Sequence, residues 1–146
     1  MPTVLVPLRW GDMDAYGHVN NVQIVRILEE ARVAVFGPPP SAGEVQGPRG
    51  LVPLFDSLPP GAQALVAEHR VAYRAPLPYR DEPVRVEVRI GKVTPASFTI
   101  DYAVYDDAPG LLCVEASTVL AVVDGTSGAL VRLNREQRAL LETTAG

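Results

Sequence analysis

The stretch NNVQIVRILEEARVAVFG, residues 20–37, decides the fold of this chain. Asn20 is a preferred N-cap residue, and Gln23, three positions later, completes the pattern of a capping box. Gly37, followed by three prolines, is a strong stop signal. A helix that is apolar on most sides is a buried helix, so the rest of the chain must cover it. The apolar positions are Val22, Ile24, Val25, Ile27, Leu28, Ala31, Val35 and Phe36.

The remaining chain is mostly strand. Residues 84–93 alternate strictly between apolar and charged side chains, which is typical of an antiparallel strand with one wet face. Turn-forming residues at 106–110 and 124–128 separate later strands, and Asn134 with Gln137 predicts a second capped helix that runs to about Leu141. The predicted strands are 3–10, 64–74, 84–93, 97–105 and 111–123.

One long apolar helix among antiparallel strands predicts an α+β chain with the hotdog fold, in which a curved antiparallel sheet wraps around one long buried helix. We expect residues 1–146 to form a single domain of this kind. A ferredoxin-like fold would need a second full-length helix between the later strands, and no segment there has the pattern of one.

Residues 37–62 are rich in proline and glycine, with an apolar insert LVPLF at 51–55. This composition predicts a long ordered loop that contains one short helix. Loops of this length often serve as lids or binding loops, and a plain connection is an equal alternative.

Bulk composition excludes several classes of function. The net charge of −4 argues against a general nucleic-acid-binding surface, which needs a basic face. The one cysteine, Cys113, excludes a disulfide or a cysteine zinc site within the chain. The N-terminal MPTVLVPLRW lacks the charge and apolar run of a signal peptide, and no apolar run approaches about 20 residues. We expect a cytoplasmic protein with neither membrane nor nucleic-acid partners.

The loop before the helix has the sequence RWGDMDAYGHVNN, residues 9–21. It contains the candidate catalytic residues of the chain: two aspartates, a histidine and two asparagines. A helix N-terminus has unpaired N–H groups and a positive dipole end, so it can hold a carbonyl oxygen that gains negative charge. A nearby aspartate can attack that carbonyl or activate a water. This arrangement suits a thioester better than an amide, because a thiolate is a good leaving group and needs little protonation. The alternatives are that the aspartates only cap the helix, that His18 only orders the loop, and that Trp10 belongs to the core or an interface.

No serine or cysteine triad competes with this hypothesis. Ser117 and Cys113 lie on a predicted strand with no histidine near them in the sequence, and His69 is remote in strand context.

The pattern R-W-x-D-x-D-x-x-G-H-V-N-N, followed by E-E-A-R at 29–32, resembles the signature of the 4-hydroxybenzoyl-CoA thioesterase-like family of hotdog acyl-CoA thioesterases. Tyr73 to Leu77 with Asp81 resembles the second strand and turn of that family. Val119 to Asp124, with Thr126 and Gly128, resembles its last hairpin. The resemblance implies a thioester hydrolase that converts an acyl-CoA to the free acid and CoA.

The same resemblance implies roles for single residues. Asp14 would be the catalytic nucleophile or general base, and N–H groups around Asn20 and Asn21 would polarise the thioester carbonyl. His18 would assist catalysis or positioning, and Asp12 would orient the loop. Dehydratase-type hotdog proteins have an intervening Asn-Pro where this chain has 15–17, Ala-Tyr-Gly, which argues against a hydratase.

Ile24 stands where many family members have a tyrosine, so the acyl group stays open. Arg74 and Arg80 are candidates for binding the phosphates of CoA, since arginine recognises phosphate well, and ordinary surface arginines are the alternative. We expect no metal and no cofactor other than CoA as part of the substrate.

The resemblance also implies a homodimer or homotetramer with the site at a protomer interface. An acyl-carrier-protein thioesterase and a non-catalytic acyl-CoA-binding hotdog protein or assembly module remain the rival functions.

Overall fold

The computed structural model describes residues 2–37, 50, 52, 54–107 and 109–144. Short 3-10 turns at Trp10–Asp12 and Phe55–Ser57 accompany the main elements. These are β1 (Thr3–Val6), α1 (Asn21–Phe36), β2 (Ala62–Tyr73), β3 (Val84–Val93), β4 (Ser97–Asp106), β5 (Leu111–Asp124) and α2 (Arg135–Thr144). The strand predicted at 3–10 is too long, because Pro7 has no N–H for the ladder and the chain turns at Trp10.

The five strands form one sheet in the order β1-β3-β4-β5-β2, and every neighbouring pair is antiparallel. Alternate residues of β3 and β4, such as Val86, Ile90, Phe98 and Ile100, are buried and belong to the same core cluster as α1. The expected hotdog architecture, a curved antiparallel sheet packed around one long helix, is confirmed.

Helix α1 begins and ends where the sequence predicts. Asn20 Oδ1 accepts a hydrogen bond from the Val22 N–H at 2.9 Å, and Gly37 follows the helix with φ of 77°. The buried face includes Ile24, Ile27, Leu28, Ala31, Val35 and Phe36. The predicted capping box is wrong in one respect, because the Asn20 N–H donates to the Asp12 carbonyl at 2.7 Å. Gln23 Oε1 accepts instead from Arg9 Nη2 and Arg26 Nε, both at 3.2 Å.

Helix α2 carries the complete capping box. The Asn134 N–H donates to Gln137 Oε1 at 2.7 Å, and the Gln137 N–H donates to Asn134 Oδ1 at 2.8 Å. Gln137 Nε2 also donates to the Ser57 carbonyl at 2.9 Å. The second predicted helix is therefore confirmed, and it is fastened to the segment that precedes β2.

A long loop was predicted at 37–62. Residues 38–49, 51 and 53 of it lie outside the described part of the chain. The alternatives for this loop, a lid or a plain connection, therefore stay predictions. The described end of this segment packs into the core: Leu54 is fully buried, and the Val52 N–H donates to the Val35 carbonyl at 2.8 Å. The 3-10 turn at Phe55–Ser57 is the short helix that the composition predicted. In the described ranges, no helix has both the length and the apolar character to cross a bilayer.

Candidate active site

Asp12 fastens the loop before α1 to the helix. Its side chain is fully buried, with Oδ2 2.7 Å from Arg26 Nη2 and Oδ1 3.1 Å from Arg9 Nη2. The Arg9 N–H also donates to Oδ2 at 2.7 Å. Burial by itself raises the pKa of this carboxyl, but the hydrogen bonds from Arg9 and the charge of Arg26 outweigh burial and hold the pKa below its ordinary value. Asp12 thus orients the loop as an ionised carboxylate.

Asp14, two residues later, has a different environment. Its Oδ1 accepts the N–H groups of Tyr16 at 2.7 Å and His18 at 3.1 Å, which closes a tight turn. Gly17 has φ of 77° there, a conformation that glycine adopts without strain. Within the described part of the chain, no group donates to Asp14 Oδ2. One carboxylate oxygen therefore holds the turn, and the other is available to a ligand.

The N-terminus of α1 offers one backbone donor. The Val22 N–H is used by Asn20 Oδ1, the Gln23 and Ile24 N–H groups by the Asn20 carbonyl, and the Asn20 N–H by the Asp12 carbonyl at 2.7 Å. Asn21 has the N–H group in this turn for which the described residues supply no acceptor. The positive end of the helix dipole lies at the same place. Of the two asparagines that the sequence suggested, only Asn21 keeps its N–H free.

Asp14, His18 and Asn21 line one cavity of about 440 Å³, together with Ile24 of α1. The opposite wall comes from the end of β2 and the turn after it. This wall consists of Tyr73, Arg74, Ala75, Pro76 and Leu77, with Val114 of β5. Three of the predicted site residues are thus brought together, and Ile24 lies beside them.

Hydrogen bonds join this wall to the loop before α1. Tyr73 Oη donates to the Asn21 carbonyl at 3.2 Å, and the Val19 N–H donates to the Leu77 carbonyl at 2.7 Å. Neither Tyr73 nor Leu77 was predicted as a site residue, although both lie in the 73–77 stretch that resembles a family motif. That stretch was the signal that could have identified them.

His18 lies in the cavity with its backbone paired to the turn after β2, through a bridge to Pro78. No hydrogen bond or ion pair joins its imidazole to another residue that the structure describes. The ring is therefore available to a substrate or a water next to Asp14.

The two candidate arginines are separated by the fold. Arg74 lines the cavity and pairs through Nε with Glu115 at 2.9 Å, and its side chain is 58% exposed. Arg80 does not line the cavity. Its Nε and Nη2 donate to the two oxygens of Asp106, both at 3.1 Å, and this hydrogen bonding with the nearby negative charge raises the pKa of the guanidinium. Of the two arginines, Arg74 is therefore the one that lines the Asp14 cavity.

Two of the remaining sequence interpretations concern Trp10 and Cys113. Trp10 is 74% exposed in this chain, so the core alternative is wrong, because the 3-10 turn at Trp10–Asp12 directs Asp12 inward instead; the interface alternative stays a prediction. Cys113 is a buried strand residue, as expected, and burial raises the pKa of its thiol. A buried, protonated thiol is a poor nucleophile. In the described ranges, no group of three histidine, cysteine, aspartate or glutamate side chains is placed to hold a metal ion.

Comparison with known proteins decides the family, because the model of the thioesterase-like superfamily matches residues 8–141. The chain belongs to the thioesterase-like superfamily. The expected enzyme class, a thioester hydrolase, is thereby confirmed at the level of the family. No curated protein sequence matches the chain.

Solved structures of similar shape include other members of this fold. The PA2801 protein from Pseudomonas aeruginosa, regarded as a thioesterase, is 27% identical with a TM-score of 0.74, over 94% of this chain and 95% of that one. DHNA-CoA thioesterase from Staphylococcus aureus is 18% identical with a TM-score of 0.74, over 97% and 90% of the two chains. A thioesterase from Thermus thermophilus, solved with coenzyme A and zinc, is 24% identical with a TM-score of 0.71, over 99% and 94%.

Proposed function

We propose that the protein is an acyl-CoA thioesterase in which Asp14 is the nucleophile or general base. The observation that supports this most is that one cavity is lined by an acceptor and a donor that both lack hydrogen-bond partners in the described chain. Asp14 Oδ2 and the Asn21 N–H both lack partners within the described chain, and both residues line the same cavity. A carboxylate oxygen and an oxyanion donor are the two groups that thioester hydrolysis needs.

The reaction follows from these positions. The thioester carbonyl oxygen accepts the Asn21 N–H, whose donor strength the helix dipole increases as negative charge develops. Asp14 removes a proton from water, the water oxygen bonds to the carbonyl carbon, and the C–S bond breaks to release CoA thiolate. In the nucleophilic variant, Asp14 itself bonds to the carbon as the C–S bond breaks and CoA thiolate leaves. Water then cleaves the resulting anhydride, which releases the free acid and restores the Asp14 carboxylate. His18 assists by positioning the water or the leaving sulfur.

The CoA part of the substrate has a candidate partner in Arg74. Its guanidinium is half-exposed at the edge of the cavity, and its exposed pair with Glu115 is the kind of contact that a phosphate replaces at little cost. The solved Thermus thermophilus thioesterase holds coenzyme A on the same fold, which supports CoA as the ligand here. The proposed reaction requires no metal and no cofactor beyond the CoA of the substrate.

We further propose that the chain forms homodimers or homotetramers. Strand β2 is an edge of the sheet, and Leu65 and Val66 in it are 49% and 44% exposed. A long edge strand with exposed apolar side chains is a surface that pairs readily with another strand. A second copy of the same chain would cover it.

The experiment is thiol release from a panel of short, long and aromatic acyl-CoAs, with wild type, Asp14→Asn and Asp101→Asn side by side. Asp101 is a matched control, because its carboxylate lies on the sheet and makes only a 3.7 Å contact with Arg89. We expect Asp14→Asn to lose on the order of 100-fold or more in turnover, the range of a removed general base or nucleophile, with its fold intact. Wild-type turnover in Asp14→Asn would contradict the assignment.

If the wild type releases no thiol from any acyl-CoA of the panel, the acyl-CoA thioesterase proposal is wrong. Release from acylated carrier protein would then favour the carrier-protein thioesterase. Binding of acyl-CoA without thiol release would favour the non-catalytic binder.

A further inference from the structure

A second cavity lies further along α1, between this helix and β2. Its volume is about 210 Å³, half that of the Asp14 cavity. Its walls are mostly apolar, from Val33, Phe55, Ala64, Val66 and Leu120, and Glu29 and Arg32 of α1 complete it. The proposed function assigns nothing to this space.

Arg32 is the unusual member of this lining. Its side chain is only 11% exposed, which is low for an arginine. Its contacts are long: Nη1 lies 3.4 Å from Tyr102 Oη, and Nη2 lies 3.5 Å from a Glu29 oxygen. A guanidinium has five N–H donors, and a nearly buried charge is costly unless it is well hydrogen-bonded. Among the described residues, these two long contacts are the ones that hold the guanidinium at the end of an apolar space.

Both cavities are lined by residues of α1 on one side and of β2 on the other. Asn21 and Ile24 of α1 line the first, and Glu29 and Arg32 line the second. Eleven residues separate Asn21 from Arg32, or about 16 Å at a rise of about 1.5 Å per residue, and helix side chains point back toward the N-terminus, which shortens the gap. An extended chain covers about 1.2 Å per bond, so about 16 Å corresponds to about 13 bonds. The Arg32 side chain itself spans about 6 Å of that distance, which leaves on the order of eight bonds for the acyl chain.

The stretch of β2 between the cavities is polar in one place. His69 Nδ1 lies 2.9 Å from Oγ1 of Thr118, which is fully buried. Burial and the positive charge of Arg32 lower the pKa of His69, and Glu29 opposes this shift. Arg32 and Glu29 are therefore the charged groups that lie near His69.

We propose that the second cavity holds the far end of the acyl group, and that Arg32 selects acyl thioesters with a distal oxygen atom, a hydroxyl or a carboxylate. This inference rests on the proposed function and deepens it. A plain alkyl end would leave the guanidinium nearly buried without a strong partner, whereas an oxygen accepts a short charge-assisted hydrogen bond from it. A carboxylate would replace Glu29, whose own side chain is 67% exposed, and a hydroxyl would lie beside it.

The test uses three CoA thioesters of equal chain length: octanoyl, 8-hydroxyoctanoyl and the eight-carbon ω-carboxyacyl. Wild type, Arg32→Met and Arg138→Met are compared on each. Arg138 is the matched control, since it is exposed on α2 and lines neither cavity. We expect kcat/KM of wild type and Arg138→Met to favour one or both oxygenated substrates by about tenfold, as for a hydrogen bond to a charged group. In Arg32→Met that ratio falls to about one.

Comparison of the 8-hydroxyoctanoyl and ω-carboxyacyl substrates shows whether Arg32 prefers a hydroxyl or a carboxylate. Equal kcat/KM on all three substrates in wild type, or a preference that persists in Arg32→Met, overturns the inference while leaving the thioesterase proposal in place. A second variant, Ala64→Leu, narrows the cavity and is expected to lose the eight-carbon substrates while keeping butanoyl-CoA. Equal loss of both chain lengths contradicts the proposed location.

If wild type hydrolyses none of the three, the proposed function fails and binding decides the subsite separately. Non-hydrolysable thioether analogues of the same three compounds are then titrated by calorimetry. Tighter binding of an oxygenated analogue that depends on Arg32 supports the subsite, and equal binding of all three overturns it.

Discussion

Arg26 Nη2 lies 2.7 Å from Asp12 Oδ2, and this contact joins the second turn of α1 to the loop that precedes the helix. Both oxygens of Asp12 are occupied by arginine donors, whereas Asp14 keeps one oxygen free of any partner in the described chain. Asp12 therefore holds the loop against the helix, whereas Asp14, two residues later, presents a carboxylate oxygen to the cavity.

Asp12→Asn is expected to lower the free energy of unfolding by about 1.5–3 kcal/mol, the range of hydrogen bonds to charged groups. The amide keeps the shape of the carboxylate but loses its charge and the acceptor that Arg26 uses. Equilibrium unfolding in urea measures the change. Asp101→Asn is the control and should change stability by less than about 0.5 kcal/mol, because its contact with Arg89 is a partly exposed one of 3.7 Å. Equal losses in the two variants would contradict the role of Asp12.

Asn20→Ala is expected to cost about 1 kcal/mol through loss of the cap on the Val22 N–H. The same change at α2, Asn134→Ala, removes the acceptor of the Gln137 N–H and should cost a similar amount. Because α1 presents the Asn21 N–H, only Asn20→Ala should also lower kcat on the best acyl-CoA. Unfolding curves and turnover of both variants give the comparison. A kcat that falls equally in both would mean that general stability, not helix position, limits catalysis.

Arg74 and Arg80 should separate in kinetics. Arg74→Met is expected to raise KM for acyl-CoA roughly two- to fivefold, as for an exposed charge contact, and to leave KM for the matching acyl-pantetheine unchanged, since that substrate lacks the nucleotide phosphates. Arg80→Met should leave both KM values unchanged, because Arg80 is committed to Asp106. A higher KM for acyl-pantetheine in Arg74→Met, or for acyl-CoA in Arg80→Met, would show that this assignment is wrong.

His69 should make stability depend on pH. Its pKa in the folded protein lies below the unfolded value near 6.5, so the unfolded chain takes up a proton first as the pH falls. Stability is therefore present above about pH 6.5 and is lost as the pH falls through the folded pKa. Arg32 and Glu29 are the charged groups that face the ring. Urea unfolding at pH 7.5 and 5.5 should show a smaller difference for His69→Gln than for wild type. Parallel loss in the two proteins would exclude His69 as the source.

The sequence by itself determined the elements and the compact part of the site. Helix α1 and strand β3 have the predicted bounds, because apolar periodicity, an N-cap and a glycine stop act over a few residues. The same holds for Asp14, His18 and Asn21, which lie within eight positions of the chain. A turn closed by Asp14 Oδ1 brings these three residues to one cavity. Local preferences are sufficient wherever the partners are close in sequence.

Only the tertiary structure decided which distant groups meet. Tyr73 reaches the Asn21 carbonyl across 52 positions, Arg80 reaches Asp106 across 26, and Arg32 reaches Tyr102 across 70. These pairs depend on the strand order, with β2 beside β5 at one edge, and on the rotation of α1 over the sheet. A local pattern contains neither quantity, because both follow from how the whole apolar core packs. The sequence therefore indicated the loop of the candidate site, and the packed fold decided which side chains line its cavity.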